Sequence, residues 1–407
     1  MKNPMNLLEQ YGVEQTDKYK TLVINKKAKS YPVYRVPLKY LYYNDKNDRI
    51  STELVRYISE QKSEIPDRID KREEYNMVFQ ELIRKSDEVK LNKTKNSIMK
   101  RGQDKPGVTL IDGRVVDGNR RFTCLRLIEK ETNIERYFET VILDWEYDQD
   151  YKYVKSLEVQ LQMGIEKPVD YDPIDRLFGV YNSIRIEKKF TPEEYAELFD
   201  NITAADVRRD LELADLMCKY LEFIDSPGKY YIAKDLKLDG VLHEIPAILK
   251  KVGKKHPELV DDTESFIFTL ITMDVDSKMN LYVRDLKDIV EKADYPKLLE
   301  MIKPYVDKTL DAIEQTDINR GIDIAEIRKD DYTKEKLIEA VDQQKAIVTS
   351  KVVNDAPIKH LKTASTALDS IFVLSIPEMD SKKIEEARNL IDKIEERLKE
   401  IRDHFES

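Results

Sequence analysis

The stretch from Gly107 to Ile128 does most to limit what this chain can fold into. Val108-Thr109-Leu110-Ile111 and Val115-Val116 are two strand-forming runs joined by Asp112-Gly113. Gly takes the φ > 0 position that a tight hairpin turn needs. The second run ends at Asp117-Gly118, and from Asn119 onward Phe122, Leu125 and Ile128 repeat at helical spacing. A strand that ends in Gly and passes straight into a helix aims unpaired backbone N–H groups at one point. Arg120 and Arg121 add fixed, forked cations there. Such a string reads as a phosphate-binding device, although alone it also suits a surface turn with two solvated arginines. The neighbouring segments decide between these readings.

Upstream lie Val36-Pro37-Leu38, then Asn47-Asp48-Arg49, then Ser97-Ile98-Met99-Lys100-Arg101-Gly102-Gln103 with Pro106 following. With Asp112-Gly113 and Asp117-Gly118-Asn119-Arg120-Arg121, the chain resembles the amino-terminal domain of the ParB/sulfiredoxin superfamily. That family carries a Val-Pro opening, an Asn-Pro-Arg box, a Ser-Ile-x-x-x-Gly box and an Asp-Gly-x-(His/Arg)-Arg box. The four counterparts occur here in order over roughly residues 33–165, and Asp48 replaces the Pro of the second.

The resemblance implies a small mixed sheet with helices and a bound nucleoside triphosphate, ATP or CTP, with Mg²⁺. Gly118, Arg120 and Arg121 would hold phosphates, and Asn119 or Asp117 would position them. Gln103 would lie near the base or ribose, and Asn47 and Arg49 would line the rim. A Glu-Asn-x-x-Arg box of the nucleotide-binding partition proteins has its nearest match at Glu158, a candidate Mg²⁺ ligand. Val159 and Gln162 stand where Asn and Arg belong, which puts hydrolysis in doubt. Asn119 occupies the position of the sulfiredoxin cysteine, so that activity is not expected, and Cys124 reads as a small buried hydrophobe.

The 407 residues can hold two or three domains. With 41% hydrophobic and 36% charged residues, and no apolar run near the ~20 residues of a membrane span, a cytoplasmic protein is expected. Two distant cysteines and four scattered histidines supply neither a disulfide framework nor metal-ligand spacing. The net charge of −10 argues against a chain that grips DNA over its whole surface. Between Arg84 and Lys105, however, eight Lys or Arg face three carboxylates. This stretch is either a solvated helix face or a local nucleic-acid surface.

The overall expectation is an α+β chain: a mixed sheet first, then a mostly α-helical remainder. Residues 1–30 read as a polar leader and 31–165 as the sheet domain, with a helical insertion at about 50–92. In 166–240, Thr191-Pro192 and Thr203 with Asp206 mark two helix starts. The pair resembles a helix-turn-helix that would put Arg208 and Arg209 on DNA, though the surrounding Asp206, Asp210, Glu212 and Asp215 favour plain packing. Residues 241–360 are helical without a readable motif. In 361–407, Ile384, Ala387, Ile391, Ile394, Leu398, Ile401 and Phe405 fall on a and d positions. That segment is either a homodimeric coiled coil or an amphipathic helix docked on its own domain.

Two functions follow. The first is a ParB-like, nucleotide-dependent DNA-binding switch. The second is a ParB-type nuclease with Asp117 or Glu158 on a divalent metal, and whether the chain is an enzyme (an NTPase or a nuclease) stays open.

Overall fold

The Asp-Gly hairpin joins two inner strands of the sheet. The computed structural model describes residues 5–24, 27–61, 64–165, 172–199, 202–371 and 380–406, without the side chains at 48–49, 162–165, 351–355 and 406. Among these residues the strands are β1 (Glu14–Ile24), β2 (Lys27–Pro37), β3 (Tyr42–Tyr43), β4 (Gly107–Leu110), β5 (Arg114–Asp117) and β6 (Tyr137–Leu143). They form one mixed sheet in the order β1-β2-β6-β4-β5-β3. Two pairings are parallel, β4 with β6 and β3 with β5. The turn between β4 and β5 is made by Gly113 at φ 94°, while Asp112 Oδ1 accepts the Arg114 N–H at 3.0 Å.

The helices are α1 (Asp48–Gln61), α2 (Arg72–Ser86), α3 (Glu88–Arg101), α4 (Asn119–Thr132) and α5 (Tyr151–Ile165). Then follow α6 (Pro173–Tyr181), α7 (Pro192–Ala196), α8 (Ala204–Phe223), α9 (Tyr230–Asp235), α10 (Asp239–Leu242) and α11 (Ile245–Lys255). The last are α12 (Val260–Met273), α13 (Met279–Lys292), α14 (Tyr295–Glu314), α15 (Asp331–Asp369) and α16 (Ser381–Glu406). No described helix is long and apolar enough to cross a membrane. The protein is α+β, with its sheet in the amino-terminal part and helices after it.

Helices cover both faces of the sheet, which is why its central strands lack polar alternation. Val115 packs with Tyr43, Phe79, Phe122 and Phe138 in one core. The next residue, Val116, packs with Val108, Val141, Val154 and Leu157 in the other, as the two-residue period of a strand requires. Val207 and Leu211 of α8 belong to this second core. No boundary therefore forms near residue 165; the chain divides instead into two compact units, 1–342 and 343–407.

The stretch expected to be a polar leader is a strand with its approach. Leu7 and Leu22 are buried, and the Leu7 N–H reaches Ile111 O at 2.9 Å. β1 is an edge strand, and charged residues on such a strand block pairing with other chains. Its composition therefore imitates a tail.

Within the first unit Asp330 ties α14 to the start of α15. It accepts from Lys308 Nζ at 2.6 Å and from the hydroxyl and N–H of Thr333 at 2.7 and 3.1 Å. The Lys308 hydrogen bond, with those from Thr333, holds its carboxyl down from 3.8 to about 2. A depressed carboxylate contributes stability that is complete above its ordinary pKa and lost as pH falls through the folded one. Thermal unfolding should thus show Asp330→Asn less stable than the parent at pH 7, with the gap closing between pH 4 and pH 2.

Candidate phosphate-binding site

β5 delivers the chain to Gly118, which adopts φ 98°, ψ 20° and caps α4 with no side-chain hydrogen bond to the first turn. The N–H groups opening α4 are therefore served by no capping side chain, the arrangement that suits an anion. A Cβ at Gly118 would stand 2.8 Å from Phe138 Cζ and 3.0 Å from Arg121 Nη2. Neither the left-handed backbone nor the space admits a side chain.

A cavity of about 290 Å³ opens at this helix start. Asp117, Gly118, Asn119, Arg120 and Arg121 line it, together with Asn47 and Glu158. Seven of the residues singled out in the sequence thus converge on one space. Its other walls are Ile50, Ile83, Ser86, Thr94, Val116 and Leu161. Helix α2 lies within the expected insertion and α3 begins at its end; Ile83 and Ser86 of α2 and Thr94 of α3 form one wall of the site. Asn76 of α2 anchors this arrangement: its amide donates to Leu41 O at 2.8 Å and accepts the Tyr43 N–H at 3.3 Å.

The charges are already organised. Arg121 donates from Nη2 to Asp117 Oδ2 at 3.2 Å and from Nη1 to Lys105 O at 3.0 Å. Lys20, from β1, donates to the same Asp117 oxygen at 3.1 Å and to Pro106 O at 2.8 Å. Burial lowers the Lys20 pKa, with Arg121 and Lys105 acting in the same direction against Asp117. One carboxylate oxygen therefore sits between two cations. Asn119 Oδ1 is buried and takes no hydrogen bond. On α5, Glu158 is buried with Lys155 Nζ 3.9 Å away.

A second network holds the loop that leads to Asn47. The buried Arg114 donates from Nη1 to Asn44 Oδ1 at 3.0 Å and to Asp45 Oδ1 at 2.5 Å. Its guanidinium lies 4.3 Å from the Tyr147 ring centroid, and Tyr42 donates to Asp112 beside it. Burial works against the Arg114 charge, but Tyr42, Asp45 and Asp112 together keep its pKa above the ordinary value.

Other expected residues lie elsewhere. Gln103 does not line the cavity: its amide donates to Glu139 O at 2.7 Å and accepts the Glu139 N–H at 2.9 Å. It thus continues the ladder of β6 past the end of β4. The Arg49 side chain falls outside the described residues. Thr191 and Thr203 form the capping boxes their spacing indicates. However, α7 ends at Ala196, where the Leu198 and Phe199 N–H groups tighten onto Tyr195 and Ala196 carbonyls. On α8, Arg208 is exposed and paired with Glu193, and Arg209 with Asp206 at 3.2 Å. The basic stretch is largely compensated too, as Arg84 meets Glu81 at 2.9 Å, Lys90 meets Asp87 at 3.2 Å, and Lys95 meets Glu131. Cys124 is buried, its thiol pushed up to about 11 by desolvation.

Lys20 and Arg114 are the two contributors the sequence reading passed over. Arg114 stands within the motif, between the Asp-Gly turn and Val115, but was assigned no role there. Lys20 carried no signal, because its role depends on β1 lying across the sheet's end.

No family model matches this chain, and no curated protein matches it either. Among solved structures, one described as the C2221 form of a Pnob8-like ParB-N domain is similar over 82% of this chain and 99% of that one. Identity is 13% and the TM-score 0.28, so the case for a function rests on the cavity.

Proposed function

We propose that this chain is a ParB-like, DNA-associated protein that binds the phosphates of a nucleotide at the head of α4 and works as a nucleotide-dependent switch. The observation that carries this reading is the cavity itself. One cavity brings together a glycine-capped helix start, two arginines, Asn47 and Glu158. At about 290 Å³ it lies at the small end of ligand pockets (roughly 300–1,000 Å³), a size suited to a phosphate tail. For a triphosphate with Mg²⁺, Glu158 and Asn119 Oδ1 are oxygen donors of the hard type that ion takes. When bound, the ion would offset phosphate charge.

The geometry favours binding over cleavage. Asp117, the carboxylate a nuclease would place on a metal, is already held by Lys20 and Arg121. Among the described residues no group of three or more His, Cys, Asp or Glu converges to hold a metal. The DNA contact belongs to Arg208 and Arg209, whose exposed ion pairs are of the weak kind that a phosphate backbone can displace.

Calorimetry with ATP, CTP, GTP and their diphosphates, each with Mg²⁺, tests the reading. Saturable binding is expected in the wild type. Arg120→Ala should weaken it by roughly 10- to 100-fold, the loss of a charge-assisted hydrogen bond of about 1.5–3 kcal/mol. No binding of any nucleotide to the wild type would end this proposal. Arg208→Glu with Arg209→Glu should lower DNA affinity while leaving nucleotide binding as it was.

A further inference from the structure

Asp117 is held twice over. Its Oδ2 accepts from Arg121 Nη2 at 3.2 Å and from Lys20 Nζ at 3.1 Å. The side chains of Lys20, Asp117 and Arg121 are only 16, 18 and 18% exposed, so water does little for a charge left alone there. Either cation by itself keeps the carboxylate paired, and the surplus bears on what happens when an anion arrives.

The two cations are not equivalent. Arg121 lines the cavity with Asp117, whereas Lys20 stands outside its walls. The Arg121 guanidinium already lies against Gly118, where a Cβ would sit 3.0 Å from its Nη2 and 3.2 Å from its Nε. It is thus beside the head of α4 and has only to exchange one acceptor for another. A guanidinium is also a planar fork matched to phosphate oxygens. Lys20 is fixed elsewhere: its Nζ donates to Pro106 O at 2.8 Å, and its backbone is paired with Tyr31 of β2. Burial opposes its charge and Asp117 supports it, so ammonium and carboxylate stay together. Were Arg121 to leave with no second cation in place, a largely buried carboxylate would be stranded beside an incoming phosphate, a like-charge contact.

We propose that Lys20 is a positioning residue of the phosphate site: it retains the Asp117 carboxylate, so that Arg121 can leave it and take the ligand's phosphate. The inference rests on the phosphate reading above and adds to it a residue that acts from outside the cavity.

Calorimetry on the full chain with inorganic tripolyphosphate and Mg²⁺ tests it, since that probe reports the phosphate site without base or sugar. Lys20→Met should weaken binding about tenfold, less than a fully buried orphan charge would cost because Asp117 keeps some exposure. Asp117→Asn should tighten binding, and in that background the loss from Lys20→Met should shrink to about twofold or less. A lysine that touches the ligand, or that only seats β1, would instead cost the same with or without the carboxylate. A second readout needs no ligand. Lys20→Met with Arg121→Ala should lower the denaturant midpoint by more than the two single shifts together, because either cation alone still serves Asp117. An undiminished loss in the Asp117→Asn background, no loss from Lys20→Met at all, additive midpoint shifts, or Lys20→Met chains that unfold in both backgrounds would each overturn the inference and leave the phosphate reading standing. Failure of both the wild type and Asp117→Asn to bind the probe would end that reading, and this inference with it.

Discussion

Arg114→Met is expected to destabilise the first unit by about 3 kcal/mol, the lower end of the cost of removing one partner from a buried ion pair. The lower end applies because Asp45, the acid left behind, is 23% exposed. Asn44 Oδ1, in a residue with no exposure at all, would lose its Nη1 donor as well. The aromatic walls of Tyr42 and Tyr147 would close on an uncharged chain that offers Asp45 no donor. Chemical denaturation should show a lower midpoint with an unchanged slope. The companion variant Asp45→Asn with Arg114→Met separates charge from packing. Removing both members of the pair should cost less than Arg114→Met alone, since no unpaired carboxylate remains. Because this network holds the loop that ends in Asn47, the single variant should also weaken nucleotide binding under conditions where it stays folded.

Gly107→Ala should cost a similar amount, about 3 kcal/mol, at the upper end of what overpacking a well-filled core usually costs. A methyl there would lie 2.3 and 2.5 Å from Phe138 Cζ and Cε1 and 2.7 Å from the carbonyl oxygen of Asp117. The carbonyl belongs to the paired strand β5 and cannot withdraw. The ring is fully buried against Phe122, with centroids 5.9 Å apart. Trimming the ring should relieve part of the strain, so Gly107→Ala with Phe138→Leu should be less destabilised than the sum of the two single changes. Strict additivity in denaturant midpoints would show that Phe138 is not the obstacle. The same ring stands 2.8 Å from the place a Cβ would take at Gly118. The two glycines of the motif therefore answer to one phenylalanine.

What the sequence made legible was local. The hairpin turn at Gly113 and the start of α4 at Asn119 depend on residues within a few positions of each other. The Thr191 and Thr203 caps were equally plain, because a capping residue at a helix start carries its own signal. Harder to read was whatever depended on distant parts of the chain meeting. β1 buries few side chains, so its pattern gave no period to follow. Gln103 sits in the Ser-Ile-x-x-x-Gly box that carries the resemblance, yet its amide serves as a stand-in for strand backbone, which no spacing encodes. The insertion was legible as helical, but not that Ile83 and Ser86 would line the cavity. Lys20 reaches Asp117 across 97 positions of sequence, and only the assembled sheet brings them together.

The carboxylate of Asp117 has a consequence for any anion drawn to α4. It is tethered beside Arg121 and Lys20, so it competes for them as an internal rival whose local concentration is on the order of millimolar or higher. A visiting phosphate gains only the difference between its own hold on these cations and that of Asp117. On the proposed reading the site is buffered against scarce anions: it takes up a ligand only when that ligand offers more contacts than one carboxylate oxygen can. Asp117→Asn should lower that threshold and let weaker anions in.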